Sequence, residues 1–233
     1  MIVISLYDYT GEAVKPWAKA GYECHCYDIQ HDSTKVDRFP SGGSISYLNA
    51  DLQTLSNVTA LWCSYVGKPI AFGMAFPVCT DMAVSGAAHF ERKRQADPDF
   101  QEKAADYAIW CSHFFDNFSV PYFIENPVSV LSTLWRKPDY MFQPYEYGGY
   151  IPEDEAEHPE WPEYIAPRDA YPKKTCLWVG EDFKMPVRKP VVVEVGYSTQ
   201  HRKLGGKSMK TKNIRSATPR GFAQAVFEAN KKP

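Results

Sequence analysis

The residue of this chain best suited to covalent chemistry is a cysteine two places beyond a strand-ending proline. In Ile70-Ala71-Phe72-Gly73-Met74-Ala75-Phe76-Pro77-Val78-Cys79, the apolar run 70–74 reads as a buried strand between Pro69 and the turn at Pro77. Ligands collect beyond the strand ends of an open α/β sheet, so Cys79 stands where a thiolate nucleophile would meet one. A second apolar strand, residues 121–124, runs out at Glu125-Asn126-Pro127. A parallel sheet would bring this carboxylate to the same edge, as an acid or hydrogen-bonding partner. The plainer alternative is a solvated loop charge, and the place of Glu125 between Ile124 and Pro127 favours the site. Cys24 and Cys26 alternate within a predicted strand, with no second pair at zinc-site spacing, and read as packing residues. Cys111 belongs to an apolar helical stripe, and His113 lies off that stripe on an exposed face.

The elements that must position these groups follow from local pattern. Residues 2–6 form a predicted strand; Gly11 opens a short amphipathic helix that carries Val14, Trp17 and Ala18 and stops at Gly21. A second strand, 22–29, contains Asp28. This order is the first half of a nucleotide-binding unit, in which an acid after the second strand holds ribose hydroxyls; Asp28 either does that or merely caps the next turn. A single glycine in the turn suits a nucleoside without pyrophosphate. A third strand near 45–48 precedes Asp51, and Asp97-Pro98 begins a long helix with Ala104, Ala108, Phe114, Phe115 and Phe118 on its stripe. Residues 139–172 are rich in proline, aromatics and acids without a clean period and read as an irregular insertion with a solvated acidic face. Strands are predicted over 174–179 and 190–195. Residues 202–220 carry seven Lys or Arg and no acid, a basic loop fit for phosphates, after which Thr218 caps a last helix with Pro219 at its first position.

At 233 residues, 44% hydrophobic and 23% charged, the chain suits one α/β domain with a small appended lobe. A formal charge of −2 excludes a chain that is basic throughout but not a local basic patch. No apolar run approaches the roughly twenty residues of a membrane span, so a cytoplasmic protein with reduced cysteines is expected.

Cys79 and the Glu125-Asn126-Pro127 triplet, in this order, resemble the motifs of the DNA cytosine-5 methyltransferases, particularly the short members found in phage genomes. Tyr9-Thr10-Gly11 stands where that family has its Phe-x-Gly cofactor turn. Lys173-Lys174-Thr175-Cys176-Leu177-Trp178 resembles the strand motif after the glutamate, and the Thr218–Ala223 stretch resembles the last cofactor motif. Val78 replaces the usual proline before the cysteine, and the target-recognition region is short.

The resemblance implies a Rossmann-like α/β methyltransferase fold, with a mostly parallel sheet, helices on both faces and a small irregular insertion. Residues 1–138 would bind cofactor and catalyse, 139–200 would form a reduced target-recognition insertion with returning strands, and 201–233 would complete the catalytic domain. It implies S-adenosylmethionine as cofactor, held by Tyr9, Thr10, Gly11, Asp28, Asp51 and Pro77. Cys79, Glu125 and Asn126 would be catalytic. Lys174, Thr175, Lys207, Lys210, Lys212 and Arg215 would contact DNA carrying a flipped cytosine. The location would be the host cytoplasm if the chain is phage-encoded. Two alternatives stay open: C5 modification of a free pyrimidine nucleotide, and an inactive DNA-binding relative such as a decoy or anti-restriction protein.

Overall fold

A computed structural model describes residues 1–193, 200, 203–205 and 208–232. The apolar runs become the strands of one eight-stranded sheet: β1 (Ile2–Leu6), β2 (Glu23–Asp28), β3 (Lys35–Arg38), β4 (Ser44–Asn49), β5 (Ile70–Ala75), β6 (Tyr122–Pro127), β7 (Tyr140–Phe142) and β8 (Thr175–Val179). Their order is β3-β4-β2-β1-β5-β6-β8-β7. The five inner strands from β4 to β6 are parallel, whereas β3 pairs antiparallel with β4, and β8 pairs antiparallel with both β6 and β7.

The helices are α1 (Lys15–Lys19), α2 (Leu55–Tyr65), α3 (Phe90–Ala96), α4 (Phe100–Asp116), α5 (Leu131–Leu134), α6 (Met209–Ser216) and α7 (Arg220–Asn230). Two of them, α1 and α7, cover one face of the sheet, where Trp17, Phe72, Phe222 and Val226 share a core with Val3. On the other face α2 and α4 place Leu61, Tyr65, Ala108, Phe114 and Phe115 against Ile4 and Leu6. The alternation along β1 therefore feeds both cores, as expected of a doubly wound α/β sheet. Trp17 is fully enclosed and stacks on Phe72 at 4.9 Å; truncating such a side chain to alanine costs about 3–5 kcal/mol. Gly73 lets α4 approach β5, because a Cβ there would lie 2.3 Å from the Phe115 ring.

Four departures from the sequence expectations have physical reasons. The basic stretch expected as a loop contains the helix α6. Ser208 caps it by accepting the Thr211 N–H at 3.1 Å, and Ile214 anchors it beside Ile165 and Tyr171. The final helix starts at Arg220 with Pro219 at its cap position, one place later than expected, and Thr218 makes no side-chain cap. Its Gly221 N–H instead donates to the Asp169 carboxylate at 2.9 Å, a cap supplied from a distant turn. The expected strand at 190–195 does not form over its described residues 190–193: the Lys189 and Val191 N–H groups donate to the Glu146 and Tyr145 carbonyls of the 144–150 turn, each at 2.9 Å. Helix α2 is rich in Ser, Asn and Thr, has no side-chain cap, and escaped the periodicity reading. Among the described residues no helix is long and apolar enough to cross a membrane.

Candidate active site

The strand order reverses between β1 and β5: β2 and β4 follow on one side, β6 on the other. Diverging connections at such a point leave a crevice beyond the carboxyl ends of the strands. A cavity of about 540 Å³ occupies it, within the usual range for ligand sites. On the β2–β4 side it is lined by Asp28 and Asp51, on the β5–β6 side by Cys79, Glu125 and Asn126, with Pro77 between.

The two segments leaving β5 and β6 are stitched together. Asn126 is buried and its Nδ2 donates to the Pro77 carbonyl at 3.1 Å, which holds the turn leading to the cysteine. The Cys79 carbonyl accepts from the Met82 and Ala83 N–H groups at 3.0 and 2.8 Å. Beyond it, Val84 N–H donates to the Val128 carbonyl and Val130 N–H to the Met82 carbonyl, around an Ala83–Ser129 bridge. From α3, Lys93 pairs with Asp81 and donates to the Thr80 carbonyl. Cys79 is thus half-buried on a braced turn.

Burial pushes the Cys79 thiol above its ordinary range; Glu125 adds to this, and Lys173 opposes it. Burial likewise raises the Glu125 carboxyl, again against Lys173. Both groups therefore hold their protons, and the thiol must lose its own before it can act as a nucleophile. Glu125 Oε1 and Asn126 Oδ1 are enclosed and have no hydrogen-bond partner among the described residues. Enclosed polar atoms left without partners on a cavity wall are available to a ligand's own donors and acceptors.

The remaining expected residues divide. Lys212 and Arg215 of α6 line the cavity; Lys210 does not, its ammonium lying 5.6 Å from the Tyr164 ring centre. Lys207 lies outside the described residues. Neither Lys174 nor Thr175 lines the cavity, whereas Lys173 does, with Nζ donating to the Arg215 carbonyl at 2.8 Å. Thr175 is buried at the start of β8, opposite Pro127, and its hydroxyl donates to the Lys173 carbonyl. Lys173 was missed because the side-chain register at a strand entrance is set by pairing, here with β6.

Tyr9, Thr10 and Gly11 are not among the lining residues. They wrap the carboxylate of Asp8, which accepts from Ser5 Oγ at 2.7 Å and Gly11 N–H at 2.8 Å. Gly11 has φ +67°, and a Cβ there would meet the Tyr47 hydroxyl at 2.8 Å, so both backbone and space demand glycine. Tyr9 stacks on His31 at 5.5 Å. The residue of this strand end that does line the cavity is Tyr7. Cys24 and Cys26 are fully buried, and among the described residues no His, Cys, Asp or Glu cluster could hold a metal.

No protein-family model matches the chain, and no curated protein does. Among solved structures the chain is similar to a protein provisionally described as a DNA modification methyltransferase encoded within an E. coli prophage. The identity is 13% and the TM-score 0.45, over 82% of this chain and 53% of the other, so the chain spans about half that structure's length.

Proposed function

We propose that the protein is an S-adenosylmethionine-dependent methyltransferase acting on C5 of cytosine in DNA. The observation that carries the reading is one cavity lined by Cys79, by Glu125 with its unpartnered Oε1, and by the strand-end acids Asp28 and Asp51. The acids suit the hydroxyls and amino group of an adenosyl ligand, and the cavity's size suits that ligand beside a single base. When bound, S-adenosylmethionine supplies an electrophilic methyl group.

The chain's own residues would do the rest. Cytosine C5 is a poor nucleophile; the Cys79 thiol gives its proton to water, and the thiolate adds to C6 and turns the ring into an enamine reactive at C5. The charge pushed toward N3 is met by Glu125, whose raised carboxyl holds the proton to donate. Asn126 keeps the Cys79 turn in place through the Pro77 carbonyl. After C5 has gained the methyl, water takes the C5 proton, N3 returns its proton to Glu125, and breaking of the Sγ–C6 bond restores the aromatic ring and releases the Cys79 thiolate. A base reaches such a cavity only when flipped out of its stack, and the α6 cations Lys212 and Arg215 would meet its phosphates.

A second reading, C5 modification of a free pyrimidine nucleotide, draws on the same cations, since they line the cavity itself and so suit a phosphate inside it. One experiment separates them: incubate the protein with methyl-labelled S-adenosylmethionine and either duplex DNA or dCMP, beside Cys79→Ser. Label on DNA that vanishes in the variant supports the first reading. Label on dCMP alone moves the substrate, and no transfer to either sinks both.

A further inference from the structure

At the carboxyl end of β1, Tyr7 adopts a left-handed backbone with φ +58°, a conformation that bulky side chains avoid. A turn with only a structural duty would be served there by glycine. The chain instead keeps a tyrosine that lines the cavity and whose hydroxyl donates to the Leu52 carbonyl at 3.1 Å. Leu52 follows Asp51, so the bond ties the end of β1 to the acid-bearing turn after β4. The same turn is fixed at other points. Gln53 N–H donates to Asp51 Oδ1 at 3.0 Å, Asn57 Nδ2 donates to the Asp51 carbonyl at 2.9 Å, and the Tyr107 hydroxyl of α4 donates to Gln53 Oε1 at 3.3 Å. Two tyrosine hydroxyls, one from the end of β1 and one from α4, therefore clamp residues 51–53.

Burial first, with Cys111, Tyr107, Asp51 and Asp28 acting the same way, holds the Tyr7 hydroxyl protonated far beyond the usual range, so it is a donor at any working pH. Tyr9, the aromatic that motif resemblance points to, is occupied with His31 and is not a lining residue. We propose that Tyr7 is a positioning residue for the nucleoside half of the crevice: it walls that half beside Asp28 and Asp51, and its hydroxyl sets where Asp51 stands. This assignment rests on the adenosyl-cofactor reading above.

The test is calorimetric titration of the wild type, Tyr7→Phe, Tyr107→Phe and the double variant with S-adenosylhomocysteine. Loss of either hydroxyl is expected to weaken binding about five-fold, the worth of one net hydrogen bond. The double variant should be no weaker than the weaker single one, because both bonds act through one turn. Alkylation of Cys79 by iodoacetamide should proceed at the wild-type rate, which a general loosening of the fold would not allow. Wild-type binding with unchanged affinity in Tyr7→Phe would overturn the assignment and leave the cofactor reading standing. Fully additive losses would overturn the shared clamp. A wild type that binds no S-adenosylhomocysteine would overturn both.

Discussion

Two carboxylic acids at the ends of β1 and β6, buried Asp8 and half-buried Glu125, are both held above their ordinary range by burial. They differ in what surrounds them. Asp8 accepts from Ser5 Oγ, from Gly11 N–H and, at 3.4 Å, from Thr10 Oγ1, inside a closed turn off the cavity. Glu125 has an enclosed oxygen with no partner among the described residues, on the wall of the cavity that also exposes Cys79. A satisfied buried acid holds a scaffold together, whereas an unsatisfied one beside a cavity leaves its hydrogen bond for a ligand. On the proposed function the difference gives Asp8 the scaffold and Glu125 the chemistry, although both stand at a strand end near a Pro or Gly.

The comparison can be broken at several points. Cys79→Ser should lower methyl transfer by at least about 10³-fold without changing the melting temperature, because removal of a nucleophile abolishes the covalent step. An active serine variant would end the assignment. Glu125→Gln should cost about 10²–10⁴-fold in transfer while leaving stability equal or higher, since it removes a poorly solvated carboxyl. Asp8→Ala should do the reverse, costing about 1–3 kcal/mol in chemical denaturation by stranding the Gly11 N–H and Ser5 hydroxyl. If the two variants exchanged these phenotypes, the contrast would fail.

A smaller effect concerns Asp169, the distant cap of α7. Its carboxyl is pushed up to about 6, mainly by burial, from an ordinary 3.8. The folded state therefore binds the proton more tightly than the unfolded chain. The stability this adds is fully present below about pH 4 and is lost as pH rises through 6, on the order of 3 kcal/mol. Asp169→Asn should flatten that part of the stability–pH profile, measured by urea denaturation between pH 4 and 7. The smallest expected effect separates the α6 cations. Lys212→Ala, on the cavity wall, should raise the KM for DNA more than Lys210→Ala, beside Tyr164, with each change lowering the salt slope of binding by about one. Equal KM changes would place the phosphates on the outer face of the helix.

Much of the frame was legible from local pattern. Continuous apolar runs marked β1, β5 and β6, and the stripe from Ala104 to Phe115 marked α4, because strands buried on both faces and helices buried on one have periods that show in the chain. The short edges β3 and β7, and the helices α2 and α6, were not legible. Their residues are polar or weakly patterned, and they form by pairing or docking onto an existing sheet: β7 on β8, and α6 through Ile214 on Ile165 and Tyr171. At the site, Asp28, Cys79 and Glu125 were named from strand-end position, Asp51, Pro77 and Asn126 from the family resemblance, and the six share one cavity. Tyr9, Thr10 and Gly11 were named from a motif, and that turn folds around Asp8 instead. Tyr7 and Lys173 were passed over, because which of two adjacent residues enters a crevice depends on a left-handed φ at one and on strand pairing at the other.

By itself, the sequence determined the residue types available at the strand ends and the order in which they occur. Hydrophobic period and breaker residues act over a few positions, and so they delimit strands without long-range information. Only the tertiary structure decided that the order reverses between β1 and β5, which brings acids from one side and the cysteine–glutamate pair from the other to a single cavity. It also decided which of the two acids is satisfied. Hydrogen-bond partners are supplied by whatever the fold brings near: Asp8 met Ser5 and Gly11, while Glu125 lines the cavity with an enclosed oxygen that no described residue meets.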